Sequence, residues 1–249
     1  MEVHHHPDLH HKPKAWKEYF LEFLMIFLAV TLGFFAESIR ENIKEHSTAK
    51  ELATSLYSDL KQDTATINHI AAFRSEKEKK MDSLFTLLGQ HPKEINAARF
   101  FQLIIPAFST DDFSEKRSTG TITQLNNAGY LRFYTYTNIP RALSQYESSA
   151  NSLFAMEKME STETVDKGIA FLSEQIDPAL FNAAYSNKSI PGDVVITSSS
   201  PDGFRSLYGI CVAIEILNSN TNHHYLTDTK QKAVALMTIL KKRYRLGDE

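Results

Sequence analysis

The sequence predicts an all-α protein: a single N-terminal transmembrane helix continues into a long stalk helix and is followed by an antiparallel helical bundle. Three observations predict this class. Residues 19–36 are apolar, apolar residues recur at helical spacing through most of the chain, and neither glycine nor proline occurs between Gly33 and Gly89. Because glycine and proline are the residues that most often interrupt helices, their absence there favours one long helix.

The apolar segment has the sequence YFLEFLMIFLAVTLGFFA and contains one ionisable residue, Glu22. At about 1.5 Å per residue, a helix over this segment covers roughly 27 Å, which is close to the hydrocarbon thickness of a bilayer. We therefore expect a transmembrane helix over residues 16–38. The polar, histidine-rich residues 1–15 that precede it are expected to form a disordered cytoplasmic tail.

A cleaved signal peptide and the buried helix of a soluble protein are the alternatives to an uncleaved span. Signal peptides are cut after small residues at positions −3 and −1. A cut after Ala36 would place Phe34 at −3, which does not suit the peptidase. The length and the flanks of the segment favour the uncleaved anchor over both alternatives.

The charges that flank the segment predict its orientation. Lys12, Lys14 and Lys17 lie within a short stretch before it, whereas Arg40 and Lys44 follow it. Lysine and arginine in short flanks are retained in the cytoplasm, while a long domain is translocated largely regardless of its charge. The expected location is therefore a bacterial inner membrane, with the N-terminus cytoplasmic and the C-terminal domain periplasmic.

The overall composition narrows the class of protein. A mean hydropathy of −0.30 does not fit a protein with several spans. The net charge of −3 gives no support to nucleic-acid binding. Cys211 is the only cysteine in the chain, so no intrachain disulfide is expected, and its apolar neighbours GICVAIEIL indicate a buried, unreactive thiol.

Residues 39–89 are expected to form the stalk helix. Its apolar positions recur at intervals of three, four and seven, as one face of a helix requires: Ile39, Ile43, Leu52, Leu56, Leu60, Ile67, Ile70, Met81, Leu84 and Leu88. Gly89, with Pro92 just beyond it, is the predicted stop at the C′ position.

Residues 90–249 are expected to form a helical bundle packed with the stalk. Its predicted helices lie at about 95–105, 118–128, 138–176, 204–218 and 228–245. Pro106 is expected to close the first, Gly129 to cap the second, and Asn138 to act as the N-cap of the third. The third is weakest over residues 156–168, and the loop-rich stretch 186–203 holds one short strand in VVIT.

Four segments carry a resemblance to a known group of proteins. They are MEVHHHPDLHHKPKAWKEYFLEFLMIFLAVTLGFFAESIRE, ELATSLYSDLKQDTATI, STGTITQLNNAGYLRFYTYTNIPRALSQYES and the ending AVALMTILKKRYRL. Together they resemble a family of uncharacterised single-pass inner-membrane proteins of Bacteroidetes-type bacteria. The resemblance implies an N-terminal span and a helical domain, and it supplies neither an activity nor catalytic residues.

The most specific single candidate is Glu22, because an ionisable residue inside a membrane helix often serves ion coupling. The structural alternative is that it lies just below the interface and extends its carboxylate to the headgroups. The histidines of the tail are weak candidate metal ligands, since imidazole binds zinc, copper or nickel but a flexible tail fixes no geometry: His4, His5, His6, His10 and His11. No cofactor is expected.

Ala29 and Gly33 form a pair of small residues one helical turn apart within the span. Such pairs let two membrane helices approach closely, so they favour a helix–helix contact. The apolar stripe of the stalk must also be buried, either in the chain's own bundle or against a second copy. The expected partners are thus the lipid bilayer, a second copy of the chain, and an envelope protein.

No catalytic motif is visible in the chain. It has no GxSxG, P-loop, dinucleotide fingerprint or HExxH spacing, and it has only nine glycines from which to build a phosphate-binding loop. The sequence therefore predicts a non-enzymatic, membrane-anchored binding or scaffolding component of the bacterial cell envelope. The alternative is an ion-coupled or sensory membrane subunit that transmits a signal through Glu22 or through the external bundle.

Overall fold

The computed structural model describes residues 16–89, 93–186, 190–197 and 202–246. The predicted tail and its histidines lie outside these ranges. The all-α class, with a long N-terminal helix and a helical bundle, is confirmed. The chain divides into two compact units, which we call unit 1, Met1–Glu51, and unit 2, Leu52–Glu249.

The first helix, α1, is unbroken over Trp16–Leu88, as the lack of glycine and proline predicts. In unit 1 it is long and apolar enough to cross a membrane: its most apolar 18-residue window has a mean hydropathy of 2.1, and none of that window is buried. No other helix in the described ranges passes the same test. An apolar surface of this length is costly in water, and hydrocarbon removes the cost.

Unit 2 begins inside the segment that the sequence assigned to the stalk. From Leu52 to Leu88, α1 buries its apolar stripe and is one of the three long helices of the bundle. The second runs through α4 (Ile139–Thr162), a π-helical segment π1 (Glu163–Ile169) and α5 (Ala170–Gln175). The third runs through α7 (Gly203–Asn220), the π-helical segment π2 (Thr221–Leu226) and α8 (Thr227–Tyr244).

Side-chain contacts fix the directions of these three helices. Asp63 bonds to Tyr146 and Arg74 bonds to Glu160, so α1 and α4 run parallel. The third helix runs antiparallel to α1: Arg74 bonds to Asn218, whereas the Phe85 ring, further along α1, packs on Tyr208. The chain must therefore return along the bundle between the end of α1 and the start of α4.

That return path contains α2 (Ala97–Ala107), α3 (Gly120–Asn127) and the extended segment between them, which we call loop 108–119. The loop lies along α1 in the reverse direction, because Ser109 contacts Lys77 and Ser118 contacts Asp63. Phe113 is its buried anchor, packed among Ile67, Ile70, Ala150, Leu153 and Leu226.

The short elements differ from the sequence predictions in two places. The strand in VVIT is present as β2 (Val195–Thr197), and it pairs antiparallel with an unpredicted strand β1 (Glu94–Asn96). The helix expected at 95–105 consequently begins two residues later, at α2, with Asn96 as its N-cap. Pro106 lies inside its last turn rather than beyond its end.

Helix α6 (Pro178–Tyr185) was also missed. The preceding helix ends at Gln175, close to the predicted end at 176. The Asp177 carboxylate then accepts hydrogen bonds from the amides of Ala179 (2.8 Å) and Leu180 (3.1 Å) and so starts a new helix. Proline at N1 suits this role, since its missing N–H is not needed there.

Four predicted helix boundaries can be compared directly. Gly129 directly follows Ala128, the C-cap residue of α3, and has the left-handed φ of 66° expected of a glycine at C′. Helix α1 ends before Gly89, but Gly89 takes no positive φ. The stretch 156–168, expected to be the weakest part of its helix, contains most of π1, and the helix continues through it. The helices expected at 204–218 and 228–245 are joined without interruption by π2.

Candidate functional site: a buried charge cluster

The bundle interior contains a cluster of charged side chains where an apolar core is expected. Arg74 and Lys77 of α1 and Glu160 of α4 have side chains that are each only 1% exposed. The Arg74 Nη1 donates to Glu160 Oε2 at 2.5 Å, and the Lys77 Nζ donates to Glu160 Oε1 at 2.7 Å. One carboxylate thus bridges two buried cations, one through each of its oxygens.

Two more residues contact Arg74, whose Nε is buried with no hydrogen-bond partner among the described residues. Its Nη1 also donates to Asn218 Oδ1 on α7 at 3.2 Å, and its Nη2 lies 3.4 Å from Asp112 Oδ1 on loop 108–119. Arg74 therefore connects α1 with α4, α7 and the loop. Charged hydrogen bonds of this kind are directional, so they favour one relative placement of the helices.

Two further carboxylates hold the loop backbone. Glu157 accepts hydrogen bonds from the amides of Phe113 (2.7 Å) and Ser114 (3.1 Å). Asp63 accepts one from the Ser118 amide (2.9 Å) and one from the Tyr146 hydroxyl (2.5 Å). The loop forms no helix or strand, so these carboxylates replace the partners that regular structure gives to buried amides.

Negative groups outnumber positive groups in the cluster. Arg74 and Lys77 are its cations, and its carboxylates are Asp112, Glu157, Glu160 and Glu215. Glu157 and Glu160 each accept two hydrogen bonds, as described above. Asp112 has only the long contact to Arg74, and Oε2 of Glu215 is buried with no hydrogen-bond partner among the described residues.

The pKa values follow from this arrangement. Burial, reinforced by the negative charge of Glu157, raises the pKa of Asp112 from 3.8 to about 6. Burial, reinforced by Glu78 and Asp82, raises the pKa of Glu215 from 4.5 to about 7. Burial also lowers the pKa of Lys77, although the nearby Glu160 opposes the change. Protonation of the two weakly partnered carboxyls near neutral pH is therefore the chemistry that this cluster can perform.

Two shallow depressions on the described surface of unit 2 contain no catalytic arrangement. One, of about 330 Å³, lies between α4 and α8 and includes Ser149, His224 and Asp228. The Ser149 hydroxyl donates to Asp228 at 2.6 Å, so its proton is directed to a carboxylate and not to the imidazole. The other, of about 350 Å³, lies beside β1 and includes Glu94 and Arg99.

The candidate residues predicted from the sequence belong to unit 1, whereas the charge cluster belongs to unit 2. Glu22, Ala29 and Gly33 are all on α1, and all are exposed within the unit. A Cβ added at Gly33 would meet nothing within 4 Å, so that surface is open to close approach. The tail histidines lie outside the described residues. In the described ranges, no group of three or more His, Cys, Asp or Glu side chains is arranged to hold a metal ion.

The sequence does contain a signal for the cluster. Positions 60, 63, 67, 70, 74, 77, 81, 84 and 88 of α1 alternate in steps of three and four, and all are buried. Asp63, Arg74 and Lys77 occupy places in that register where apolar residues are expected. Glu157 and Glu160 do the same in α4. The stripe expected from the sequence contains only apolar positions of α1, so it does not include these ionisable residues.

Comparisons of the chain with protein-family models, with curated proteins and with solved structures found no significant match. The class of the protein is therefore defined by its own architecture. It is an all-α bundle with a layer of buried charges, in a chain that carries one helix long and apolar enough to cross a membrane.

Proposed function

We propose that the chain is a single-pass, membrane-anchored helical protein of the bacterial cell envelope, in which unit 2 binds or positions a partner and catalyses no reaction. The observation that carries the proposal is the apolar window of α1, which has a mean hydropathy of 2.1 and no buried residue. Core helices of soluble proteins are equally apolar but lie inside their own fold, whereas this one has its apolar surface available to lipid.

The flanking charges support a cytoplasmic N-terminus and a periplasmic unit 2. Lys12, Lys14 and Lys17 precede the span within a short stretch, and the long unit 2 follows it. The inner membrane of a Bacteroidetes-type bacterium is the location that the family resemblance implies. Both parts of this placement belong to the proposal.

A binding role is favoured over catalysis by the way the reactive groups are used. Hydrogen-bond donors inside the bundle occupy the carboxylate oxygens of Glu157, Glu160 and Asp63. The Ser149 hydroxyl donates a hydrogen bond to Asp228. Burial also raises the pKa of the Cys211 thiol to about 12, so it is a poor nucleophile. The groups that chemistry would need are thus committed to holding the bundle.

Membrane anchoring is tested with the full chain in cells. Wild type is expected to stay in the membrane pellet after alkaline carbonate extraction. The double variant Phe27→Arg/Leu28→Arg is expected to leave it, because each arginine at the centre of a span costs roughly 3 kcal/mol. The matched control is Ile39→Arg/Ile43→Arg, which adds the same charges to the same helix outside the apolar segment and should remain in the pellet.

Extraction of wild type by carbonate without detergent would overturn the anchor. Orientation is read separately with an added protease in intact and osmotically opened cells. Digestion of unit 2 as soon as the outer membrane is permeable supports the periplasmic placement. Digestion only after rupture of the inner membrane contradicts it and leaves the anchor standing.

A second function, an ion-coupled or sensory subunit, is favoured by the excess of buried carboxylates in unit 2 and by Glu22 in the apolar segment. Replacing Glu22 by Gln preserves size and removes the charge. If the span carries the coupling, this variant should lose the cellular function while its membrane level stays unchanged. Full function in the variant would exclude a role for Glu22 and leave unit 2 as the remaining candidate.

The binding role itself is tested by crosslinking in intact cells, followed by mass spectrometry. We expect one envelope protein, or a second copy of the chain, to be recovered through unit 2 or through the Ala29/Gly33 face of α1. Recovery of no partner, together with a monomeric chain in mild detergent, would count decisively against a scaffold.

A further inference from the structure

We propose that the buried charge cluster makes unit 2 a proton-operated switch, in which proton loss from Asp112 and Glu215 loosens loop 108–119 and α7 from α1. The inference deepens the second proposed function by naming its signal. The proposal rests on that second function only for its biological purpose, because the proton chemistry depends on residues of unit 2 alone. The structural basis is the unequal distribution of partners among the four carboxylates.

Geometry identifies which carboxyls change charge. Glu160 accepts hydrogen bonds from two cationic side chains, and Glu157 accepts them from two backbone amides. Burial raises the pKa of Glu157, and its two amide hydrogen bonds oppose the change. Among the described residues, Asp112 contacts Arg74 at 3.4 Å, and the closer partner of that arginine is Glu160 at 2.5 Å. Glu215 has a buried oxygen without a hydrogen-bond partner among the described residues. The charge of the last two is poorly compensated, and a proton removes that cost.

The groups around Glu215 favour its protonated form. On α1 it is influenced by Lys77, Glu78 and Asp82, and on α4 by Glu160. The only cation in this set, Lys77, is already paired with Glu160 at 2.7 Å. From π2, the His223 imidazole lies 2.9 Å from Glu78. From π1, Lys167 is paired with Glu163 at 2.7 Å, next to the exposed Asp166.

Most of the charged groups around Asp112 are also negative. Glu157 and Glu160 face it from α4, Glu115 is on its own loop, and Arg74 is the opposing cation on α1. The neighbouring Asp111 is paired with Lys116 and lies 3.8 Å from the His69 imidazole, so Asp111 has partners of its own. Both weakly compensated carboxyls thus lie in a negative environment.

The direction of the switch follows from the pKa values. Those of Asp112 and Glu215 are raised to about 6 and about 7, so the closed state binds these protons more tightly than an opened or unfolded state does. The stabilisation is fully present below the unfolded pKa values, near 4, and is lost as the pH rises through the folded values. Unit 2 is therefore tightest in mild acid and loosens toward neutrality.

The two carboxyls lie where loosening has a structural consequence. Asp112 is on the loop that covers the groove between α1 and α4, and Glu215 is on α7, which packs against both π segments. π-Helical segments inside α-helices are often found at functional sites. Proton loss at these positions acts on the two elements that close around Arg74 and Lys77.

The test uses the full chain in lipid nanodiscs. Amide exchange of loop 108–119 and α7 is measured between pH 4.5 and 7.5 and corrected for the intrinsic pH dependence of exchange. The opening equilibrium of wild type is expected to rise by at least about tenfold over this range. In the double variant Asp112→Asn/Glu215→Gln it should change by less than about threefold. Glu174→Gln, an exposed carboxylate on α5, is the matched control and should behave as wild type.

A second measurement needs no variant to fold. The infrared carbonyl band of a protonated carboxyl should persist in wild type at pH 5.5 and vanish by pH 8. A flat wild-type exchange profile, an unchanged pH dependence in the double variant, or the absence of that band would each overturn the switch. None of these outcomes touches carbonate extraction, so the anchor and the switch fail independently.

Discussion

Replacing Glu160 by Gln is expected to lower the free energy of unfolding of unit 2 by about 3–5 kcal/mol. The substitution preserves shape and removes the one carboxylate that contacts both Arg74 (2.5 Å) and Lys77 (2.7 Å). Those two cations would then remain buried without an adequate counter-ion, which costs far more than an exposed pair is worth. Urea unfolding of the full chain in micelles, followed by far-UV circular dichroism, measures the change.

The same measurement separates a buried carboxylate from an exposed one. The exposed control Glu174→Gln should change the free energy of unfolding by no more than about 0.5 kcal/mol. The loss in Glu160→Gln should also persist in high salt, since buried charges are screened far less than exposed ones. A loss below about 1 kcal/mol, or one that salt abolishes, would mean that the cluster is hydrated and does not hold the helices together.

Replacing Gly168 by Ala is expected to destabilise unit 2 by about 1–3 kcal/mol, although alanine is the better helix former. Gly168 lies in π1, and a Cβ at this position would stand 2.4 Å from Cε2 of the Phe108 ring. The ring is 5% exposed at the end of α2, so it has little room to move. Overpacking should therefore outweigh the gain in helix propensity.

Gly209 provides the control for this substitution. It lies on the exposed side of α7, where a Cβ meets nothing within 4 Å, so Gly209→Ala should stabilise by up to about 1 kcal/mol. Phe108→Leu should restore part of the stability of Gly168→Ala by making space for the methyl group. Thermal unfolding of the four proteins decides the matter: equal behaviour of the two alanine variants would exclude the steric explanation.

The three-and-four spacing of apolar residues was sufficient to predict the long helices and the all-α class. It works in α1 because the stripe is continuous and nothing in the sequence interrupts it. It was less informative near Ile95, which fits a helical stripe and also the buried centre of a three-residue strand. Only the pairing of Ile95 with Ile196, which brings together segments far apart in the chain, decides between the two.

The two π-helical segments show a second limit of predicting helices from local sequence. Local sequence predicted a weak helix at 156–168 and a gap at 219–227, because TETVDKG and TNHHYL contain few strong helix formers. In the structure both segments pack against other helices and continue as wider turns. Tertiary packing therefore decides what propensity leaves open, and a residue such as His223 lies inside a helix rather than before one.

The charge cluster could be predicted only in part. The register of α1 places Arg74 and Lys77 on its buried side, so their burial can be predicted from the three-and-four spacing. It could not identify Glu160 as their partner, because that depends on α1 and α4 being parallel. Nor could it place Asp112, whose loop has no periodic pattern. Glu22 is recognisable because its neighbours along the sequence are apolar, whereas Arg74 becomes buried only when the bundle folds.

The parallel arrangement of α1 and α4 has a consequence for how the protein is made. Arg74 is 86 positions from Glu160 and 144 positions from Asn218. During synthesis α1 is complete long before either partner has left the ribosome, so its stripe, with two positive charges in it, has nothing to pack against. The contacts that enclose those charges close loops of great length, and such topologies fold slowly. The nascent chain thus has a prolonged interval in which α1 is vulnerable to aggregation, and this interval ends only when α7 arrives.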